Sequence, residues 1–514
     1  MTEPTIVYEP SAIRAHLRQL DRPCYVVRDG RGVGVSDAEP DGAQTLAVAP
    51  PLPASRLGNP AFRETYGLKL AYMAGAMANA ISGEAMVIAL GQAGLLGSFG
   101  AGGLPPARLE EALRRVQAAL PAGPYAFNLI HSPSEAALER GAVELYLKYG
   151  VRVIEASAYL RLTPHLVRYR AAGLERDAQG RVAIRNRVIA KLSRREVAQQ
   201  FLDPAPENLL RELVTAGHIT AEQAALAAQV PMADDLTVEA DSGGHTDNRP
   251  LVCLLPSIIA LRDEVQAARN YAVPVRVGAA GGISTPAATL AALMMGAAYV
   301  VTGSINHASV EAGTSEHVKG LLAQAAATDV MMAPAADMFE LGVQLQVLKR
   351  GTLFPLRARK LYELYTAYDS LDAIPAEARQ ELEAKVFQRS FDAVWADCVA
   401  FFSARDPAQI ERARENPKRK MALVFRWYLG LATHWGIQGE ATRRMDYQIW
   451  CGPAMGAFND WARGSYLEAP ENRRVVDMAR HLLGGAAMLY RVQHLGMQGF
   501  AVPQAWARYQ PGDN

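Results

Sequence analysis

The densest group of side chains able to do chemistry lies in the segment Thr237–Asp247, which reads TVEADSGGHTD. Three carboxylates, Glu239, Asp241 and Asp247, flank His245 there. A histidine titrates near neutral pH and can pass a proton to a reacting atom. Ligand spacing of the H-x-x-x-H type is missing, so the segment favours proton transfer, and we expect no metal.

Glycines surround this histidine and recur further along the chain. Gly243 and Gly244 precede it directly and give the loop backbone freedom. The segments 279–283 (AAGGI) and 301–304 (VTGS) are also glycine-rich. Such positions let backbone N–H groups approach a ligand, and helix N-termini favour an anion. The two later segments therefore predict a phosphate site, with ordinary tight turns between strand and helix as the alternative.

Three further positions lie at the ends of apolar runs. Asn128 follows Ala126 and Phe127, and its amide can pair with the donor–acceptor edge of a flavin or a base. Lys191 lies near the end of the apolar run 188–192. Burying a cation there costs free energy unless it meets an anion or a developing negative charge. The segment 73–77 (MAGAM) offers the small residues that a flat ring packed against backbone requires.

Short apolar runs that alternate with helical patterns must position these residues. The predicted strands are 68–73, 94–98, 125–130, 151–156, 188–192, 236–240, 275–279 and 299–302. The predicted helices are 76–90, 106–120, 134–149, 164–172, 194–201, 256–270 and 285–295. Alternation predicts a parallel sheet, and eight units of this size predict a (β/α)₈ TIM barrel. A doubly wound sheet is the alternative, but its G-x-G-x-x-G fingerprint is missing after the first strand.

We predict three parts along the chain: a small N-terminal β appendage (1–60), a barrel (61–330) and a helical C-terminal domain (331–514). Two short apolar runs around RDGRG (28–32) predict a hairpin in the appendage. A helical insertion (203–231) precedes the sixth strand, with a capping box of Thr220 and Gln223. Beyond about residue 330 we expect no strands, because the apolar residues there repeat at helical spacing.

Composition excludes several classes of function. The chain has 53 basic and 52 acidic residues. It therefore lacks the excess of positive charge that binding to nucleic acid or an anionic membrane would favour. Its four cysteines are far apart, which argues against a disulfide framework or a zinc ribbon. The N-terminal residues lack the apolar core of a signal peptide. With the few cysteines, this makes a cytoplasmic, reduced setting the default expectation. The uncharged segment 283–310 is interpreted as a buried helix, a turn and a buried strand, so we expect no membrane partner.

Taken in order, segments between residues 68 and 310 resemble the nitronate monooxygenase (2-nitropropane dioxygenase) superfamily of FMN barrels. A closer resemblance, to the PfaD-type enoyl reductases of polyunsaturated-fatty-acid and trans-acyltransferase polyketide synthases, extends over nearly the whole chain. It is carried by the segments ITAEQ (219–223), ADDLTVEADSGGHTDNRP (233–250), EAGTS (311–315) and KRGTLFP (349–355). The superfamily's usual loop is Glu-Ala-Gly-Gly-His, and here Asp241 and Ser242 lengthen it.

This resemblance implies an FMN-dependent enoyl reductase that uses NADPH or NADH to reduce an enoyl thioester on an acyl carrier protein. His245 would protonate the α-carbon, with Lys191 as second catalytic residue and His307 in reserve for the proton. The residues implied at the phosphate are Gly281, Gly282, Gly303 and Ser304. Those implied at or near the rest of the cofactor are Met73, Ala74, Gly75, Asn128, Lys191, Glu239, Gly243 and Gly244.

An acidic carrier protein needs a basic surface to bind. The candidate is the basic run Lys349, Arg350, Arg357, Arg359 and Lys360, with a merely solvated face as the alternative. A homodimer is an option for assembly. Two other functions stay open: a flavoenzyme that oxidises nitronates with oxygen, and a non-catalytic scaffold subunit of a synthase.

Overall fold

The computed structural model describes residues 5–500 apart from 132–135, together with 502, 503, 506 and 508–512. The chain divides into two compact units. The first unit comprises Met1–Ala240, Arg249–Ala312 and Ala457–Asn514, and the second comprises Asp241–Asn248 and Gly313–Gly456. The last segment of the chain, from Ala457, groups with the barrel in the first unit.

Eight parallel strands close into a barrel in the first unit. The first to eighth barrel strands are Tyr72–Ala74, Leu96–Phe99, Ala126–Ile130, Val153–Ser157, Arg187–Leu192, Asp235–Glu239, Arg276–Ala280 and Val300–Thr302. Pairing of the eighth strand with the first, through Val300 opposite Tyr72 and Val301 opposite Met73, closes the ring. The predicted (β/α)₈ barrel is confirmed, with most strand boundaries within two residues of the expected ones.

Helices connect the barrel strands. They are Glu84–Gln92, Pro106–Ala119, Ala136–Lys148, Pro164–Ala172, Arg195–Leu202, Leu251–Arg269, Pro286–Met294 and Ser304–His307. Two of them show why they start where they do: Thr163 and Thr285 accept hydrogen bonds from the first turn, and a proline follows each threonine. The uncharged segment 283–310 thus forms helices and a buried strand, as expected. Within the described residues, no helix is long and apolar enough to cross a membrane.

The barrel is anchored at the start of its strands by a buried ion pair. Asp235 and Arg276, the first residues of the sixth and seventh strands, form a bidentate pair at 2.6 and 2.7 Å. The hydroxyl of Tyr66 donates to the same carboxylate at 2.5 Å. Because barrel chemistry gathers at the opposite ends of the strands, this pair is structural. Removing one partner of such a buried pair typically costs about 3–5 kcal/mol.

The N-terminal appendage is a helix and a three-stranded antiparallel sheet. The helix is Pro10–Arg18, and the strands are Cys24–Asp29, Gly32–Ser36 and Gln44–Ala49, of which the sequence analysis missed the third. The long helix Val475–Met497 packs on this sheet, and its Met488 and Leu495 share a core cluster with Ile13 and Val26. These apolar contacts explain why the tail belongs to the first unit.

Smaller elements complete the first unit. They are the helices Ala54–Arg56, Pro60–Tyr66, Glu207–Thr215, Ala221–Ala227, Tyr466–Glu468 and Pro470–Asn472, and the hairpin of Leu174–Arg176 with Val182–Ile184. The helix Ala454–Ala462 begins in the second unit and continues into the first from Ala457. The helical insertion before the sixth strand is confirmed. Its capping box is present: Thr220 accepts from the N–H of Gln223, whose side chain accepts from the N–H of Thr220.

The second unit combines a small sheet with helices. The sheet joins Gly244–His245, Gln344–Leu348 and Val330–Pro334 in antiparallel order. The expectation of no strands beyond about residue 330 is wrong, because these short apolar runs pair with each other although longer helical stripes dominate the surrounding sequence. The helices are Glu316–Ala323, Phe339–Leu341, Phe354–Ala367, Ala376–Glu381, Leu382–Phe387, Phe391–Arg405, Pro407–Glu415, Pro417–Gln438 and Ala441–Asp446.

Candidate active site

Lys191 occupies the carboxyl end of the fifth barrel strand, beside two carboxylates. Its Nζ lies 3.2 Å from Oε1 of Glu239 on the sixth strand and 3.9 Å from Oε1 of Glu155 on the fourth. Burial works to lower the pKa of Lys191, but the two carboxylates outweigh it and raise the pKa above its ordinary value. The structure therefore holds a fixed ammonium group where barrel enzymes carry out chemistry.

Glu155 is a site residue that the sequence analysis missed. Its side chain is 1% exposed. Oε2 accepts a hydrogen bond from the backbone N–H of Ala76 at 2.8 Å, whereas Oε1 has no donor within the described part of the chain. A buried acceptor without a donor is rare in a folded protein. An acidic residue inside the apolar run VIEAS, near the end of a strand, was the signal that could have revealed it.

Asn128 connects the third strand to the fourth. Its Nδ2 donates to the backbone oxygen of Glu155 at 2.9 Å and to Oγ of Ser157 at 3.0 Å. Both amide hydrogens are thus used within the sheet, and Oδ1 is the atom with which this side chain could meet a ligand. Its amide also fixes the backbone that carries Glu155.

The first barrel strand ends in small and buried residues, as expected. Met73 and Ala74 are fully buried. Gly75 donates its N–H to the backbone oxygen of Thr302 at 3.0 Å, and a Cβ at this position would lie 3.1 Å from Cγ1 of Val301. A larger residue at position 75 would therefore crowd the junction between the first and eighth strands.

The end of the seventh strand is a pair of glycines with left-handed backbone. Gly281 has φ +82° and Gly282 has φ +75°. A Cβ on Gly281 would lie 2.7 Å from the carbonyl carbon of Ala240, so the backbone there leaves no room for a side chain. At Gly282, and at Gly303 after the eighth strand, a Cβ would meet nothing within 4 Å. The backbone at these two glycines is open to an approaching group.

The end of the eighth strand carries a second buried acceptor without a donor. Asn306 is fully buried, and its Nδ2 donates to the backbone oxygen and to Oγ1 of Thr302. Its Oδ1 has no donor within the described residues. Ser304 and His307 lie in the same short helix, and the side chain of His307 is buried.

His245 and the glycines before it lie in the second unit. Nε2 of His245 is 3.2 Å from Oδ1 of Asp337, and both side chains are about half exposed. Partial desolvation works to raise the pKa of Asp337, but the hydrogen bond and charge of His245 outweigh it and lower the pKa. Asp337 is a partner that the sequence analysis did not find, since it lies 92 residues further along the chain.

The two residues that lengthen the histidine loop are held in place within the second unit. Nε2 of Gln346 donates to Oδ1 of Asp241 and to the backbone oxygen of Ser242, each at 2.7 Å. Gly243 approaches the backbone of Cys451 so closely that a Cβ would lie 2.7 Å from its nitrogen. Gly244 has φ +81° and faces open space.

The predicted site residues are thus divided between the units. The first unit brings Lys191 and Glu239 together with Glu155. Asn128 is hydrogen-bonded to the backbone oxygen of Glu155. The other predicted residues in that unit are Met73, Ala74, Gly75, Gly281, Gly282, Gly303 and Ser304, whereas Gly243, Gly244 and His245 lie in the second. Among the described residues, no group of three or more His, Cys, Asp or Glu side chains could hold a metal.

Three protein-family models match parts of the chain. The model described as nitronate monooxygenase matches residues 64–356, more than half of the chain. The chain belongs to the nitronate monooxygenase family. Residues 2–51 of this family member match the N-terminal domain of fatty acid synthase subunit PfaD. Residues 368–447 match the inserted helical domain of [acyl-carrier-protein] S-malonyltransferase, which the sequence analysis did not anticipate.

Curated relatives of this nitronate monooxygenase family member are synthase subunits and polyketide biosynthesis proteins. A polyunsaturated fatty acid synthase subunit of a Thraustochytrium species is 49% identical over 490 residues, which are 94% of this chain and 33% of that protein. Polyketide biosynthesis protein PksE of Bacillus subtilis is 46% identical over 451 residues, which are 88% of this chain and 58% of that protein. The chain therefore spans about a third of the first relative and under two thirds of the second.

Solved structures agree with the family. The enoyl reductase domain of MlnA, from the macrolactin biosynthesis cluster of Bacillus amyloliquefaciens, is 40% identical, with a TM-score of 0.82. The match covers 87% of this chain and 100% of that one. FabK from Thermotoga maritima, 19% identical with a TM-score of 0.50 over 85% of this chain and 98% of its own, shares the fold. The predicted PfaD-type kinship, within an oxidoreductase family, is confirmed.

Proposed function

We propose that this chain is an FMN-dependent enoyl reductase. It reduces the α,β double bond of enoyl thioesters carried by an acyl carrier protein, with NADPH or NADH as hydride donor. The observation that carries the proposal is the 40% identity to the MlnA enoyl reductase domain over the whole of that domain. The synthase proteins among the relatives support a role in polyketide or polyunsaturated-fatty-acid biosynthesis. A cytoplasmic location and a homodimer stay predictions.

The residues at the ends of the barrel strands fit FMN. The open backbone at Gly282 and Gly303 leaves room for a phosphate, and Gly281 supplies the turn that no other residue can adopt without a clash. Two buried oxygens without donors, Glu155 Oε1 and Asn306 Oδ1, suit a ligand that brings N–H or O–H groups. Bound FMN would supply hydride transfer to the β-carbon of the substrate.

The residues proposed to hold FMN are those that the resemblance implies. Those for the phosphate are Gly281, Gly282, Gly303 and Ser304, and those for the ring are Met73, Ala74, Gly75, Asn128 and Lys191. Glu239 acts through its ion pair with Lys191. Gly243 and Gly244 are proposed from the sequence alone, as the flexible part of the histidine loop.

The protein's own contribution to the reaction rests on one cation and one proton donor. Lys191 can only donate hydrogen bonds, and its two carboxylate neighbours keep it charged. A preorganised cation stabilises negative charge that develops beside it. His245 delivers the proton to the α-carbon, and Asp337 orients its ring through Nε2.

Oxidation of nitronates with oxygen is the second candidate function. The observation that favours it is the description of the family model that matches residues 64–356. The same flavin-binding residues would serve it, because both reactions need a bound flavin. The two functions differ in their substrates and in their need for oxygen.

Parallel assays separate the two functions. The purified chain, reconstituted with FMN, is given crotonyl-carrier protein with NADPH or NADH under anaerobic conditions, and separately propyl-2-nitronate in air. We expect nicotinamide oxidation in the first assay and no oxygen consumption above background in the second. Oxygen uptake with the nitronate, together with an inert enoyl thioester, would overturn the proposal in favour of the second candidate.

A further inference from the structure

The second unit exposes three large apolar side chains on two segments that a backbone hydrogen bond joins. Leu353, Leu356 and Met445 are 38%, 56% and 47% exposed. The backbone N–H of Leu353 donates to the oxygen of Met445 at 2.8 Å, which fixes these two residues side by side. Leu356 follows Leu353 by three residues at the start of the helix Phe354–Ala367, and residues at this spacing share a helix face. Isolated exposed leucines are ordinary, but a contiguous group indicates a binding surface.

Exposed basic residues border this apolar group. Arg359 and Lys360 lie one turn after Leu356 on the same helix, and Arg444 directly precedes Met445. None of these three has a carboxylate within 4 Å among the described residues. Their charge is local, since the whole chain carries a formal net charge of only +1. We call these six residues the Leu356 surface.

The Leu356 surface has a rigid base. Arg357, on the same helix, turns inward to the buried carboxylate of Asp446. That carboxylate also accepts from the hydroxyl of Tyr428 at 2.7 Å and from Arg443 at 3.3 Å. The helix and the Ala441–Asp446 segment are therefore tied together beneath the exposed residues. Of the basic run expected to receive a carrier, Arg357 is engaged in the interior and Arg350 pairs with Asp329 at 3.5 Å.

We infer that the Leu356 surface docks an acidic helix of the carrier protein. Carboxylates on the carrier would meet Arg359, Lys360 and Arg444, and an apolar side chain between them would cover Leu356. An apolar centre with a charged rim is the usual anatomy of a specific protein interface, and the charges set orientation and association rate. Nucleic acid would not need the apolar centre. The inference rests on the proposed function, which supplies the carrier as partner.

Steady-state kinetics with two forms of one substrate test the inference. The double variant Arg359→Glu/Lys360→Glu and the variant Leu356→Ser are compared with the unaltered chain. Each is assayed with a crotonyl thioester on acyl carrier protein and with crotonyl-N-acetylcysteamine, which has no carrier. We expect KM for the carrier-bound substrate to rise about tenfold or more, with kcat and the carrier-free reaction changed less than about twofold.

Matched controls isolate the surface. Arg414→Glu reverses an exposed charge on another helix of the second unit, and Leu356→Met keeps an apolar side chain in place. Both should behave like the unaltered chain. Because exposed charges are screened by salt, KM for the carrier-bound substrate should also rise between about 50 and 300 mM NaCl, and less so in the double variant.

The outcomes are distinguishable. An unchanged KM for the carrier-bound substrate, or an equal loss with both substrates, would overturn the docking inference and leave the proposed function intact. A change in oligomeric state of the variants, measured by light scattering, would make the surface an interface between copies of this chain and would also overturn it. If the unaltered chain reduces neither substrate, the proposed function fails, and calorimetric binding of the carrier to the same variants still decides the docking.

Discussion

Nζ of Lys191 lies 3.2 Å from Oε1 of Glu239, so a charged pair joins the ends of the fifth and sixth barrel strands. Glu155 adds a second carboxylate at 3.9 Å. Burying a cation without these partners would cost free energy, because the charge loses its hydration. With the two carboxylates beside it, the pKa of Lys191 is raised. The arrangement keeps one positive charge at a fixed point at the end of the barrel where chemistry occurs.

Replacing Lys191 tests whether this charge serves the reaction. Lys191→Met removes the cation that Glu155 and Glu239 share. Losing one preorganised electrostatic contact costs about 10²–10³ in rate, so we expect kcat for enoyl reduction to fall in that range. Lys191→Arg keeps the charge and should retain more activity. Stopped-flow reduction and reoxidation of the flavin measure both variants, and equal rates in Lys191→Met and the unaltered chain would contradict the role.

The two glycines after the seventh strand should respond differently to alanine. Both glycines have a left-handed backbone, but a Cβ at Gly281 would also lie 2.7 Å from the carbonyl carbon of Ala240, whereas a Cβ at Gly282 faces open space. The left-handed backbone costs about 1–2 kcal/mol in either variant. Only Gly281→Ala adds a steric clash, so it should lose more stability than Gly282→Ala. Thermal unfolding without FMN gives the order, and the reverse order would be inconsistent with the structure. If Gly282 borders the phosphate, its variant should still lose FMN affinity.

The pair of His245 and Asp337 makes a prediction about pH. The pKa of Asp337 is lowered in the folded chain, so its contribution to stability is present above the unfolded pKa of about 3.9. That contribution is lost as the pH falls through the lower, folded value. The free energy of unfolding of Asp337→Asn should therefore lie below that of the unaltered chain near neutral pH and converge with it in acid. If the difference in free energy of unfolding between the two proteins persists or widens in acid, the pair of His245 and Asp337 does not stabilise the fold in this way.

His245 is proposed as the proton donor, and its variant separates the two half-reactions. His245→Ala should bind FMN and accept hydride from NADPH or NADH normally. Reoxidation of the reduced flavin by the enoyl thioester should slow about 10²–10⁴-fold, the usual share of general-acid catalysis. His307→Ala is the matched variant, at a buried position of the first unit. Selective loss in that variant, with His245→Ala unaffected, would transfer the role to His307.

The sequence predicted the barrel well because each strand is a short apolar run that a helical pattern follows. Two of these helices begin after a capping threonine, Thr163 or Thr285, with a proline directly behind it. The strands Val330–Pro334 and Gln344–Leu348 were missed, because a small sheet becomes visible only when its partners are known. The association of Val475–Met497 with the N-terminal sheet was missed for the same reason, since more than 400 residues separate the two segments.

At the candidate site the sequence identified the residues at strand ends but not their neighbours. Lys191 stood out because a lysine in an apolar run needs an explanation, and Glu155 met the same criterion without being noticed. Asp337 could not be found by spacing, because an antiparallel sheet far along the chain brings it to His245. Arg357 was expected on the surface, and only the position of Asp446 explains why it turns inward.

Enoyl reductase activity is tested by anaerobic turnover of a crotonyl thioester with the FMN-loaded chain. The nicotinamide and the acyl product are quantified together. We expect one butyryl thioester for each NADPH or NADH oxidised, with the product two mass units heavier than the substrate and no requirement for oxygen. Nicotinamide oxidation without a butyryl product, or turnover that begins only when oxygen is admitted, would contradict the proposed function.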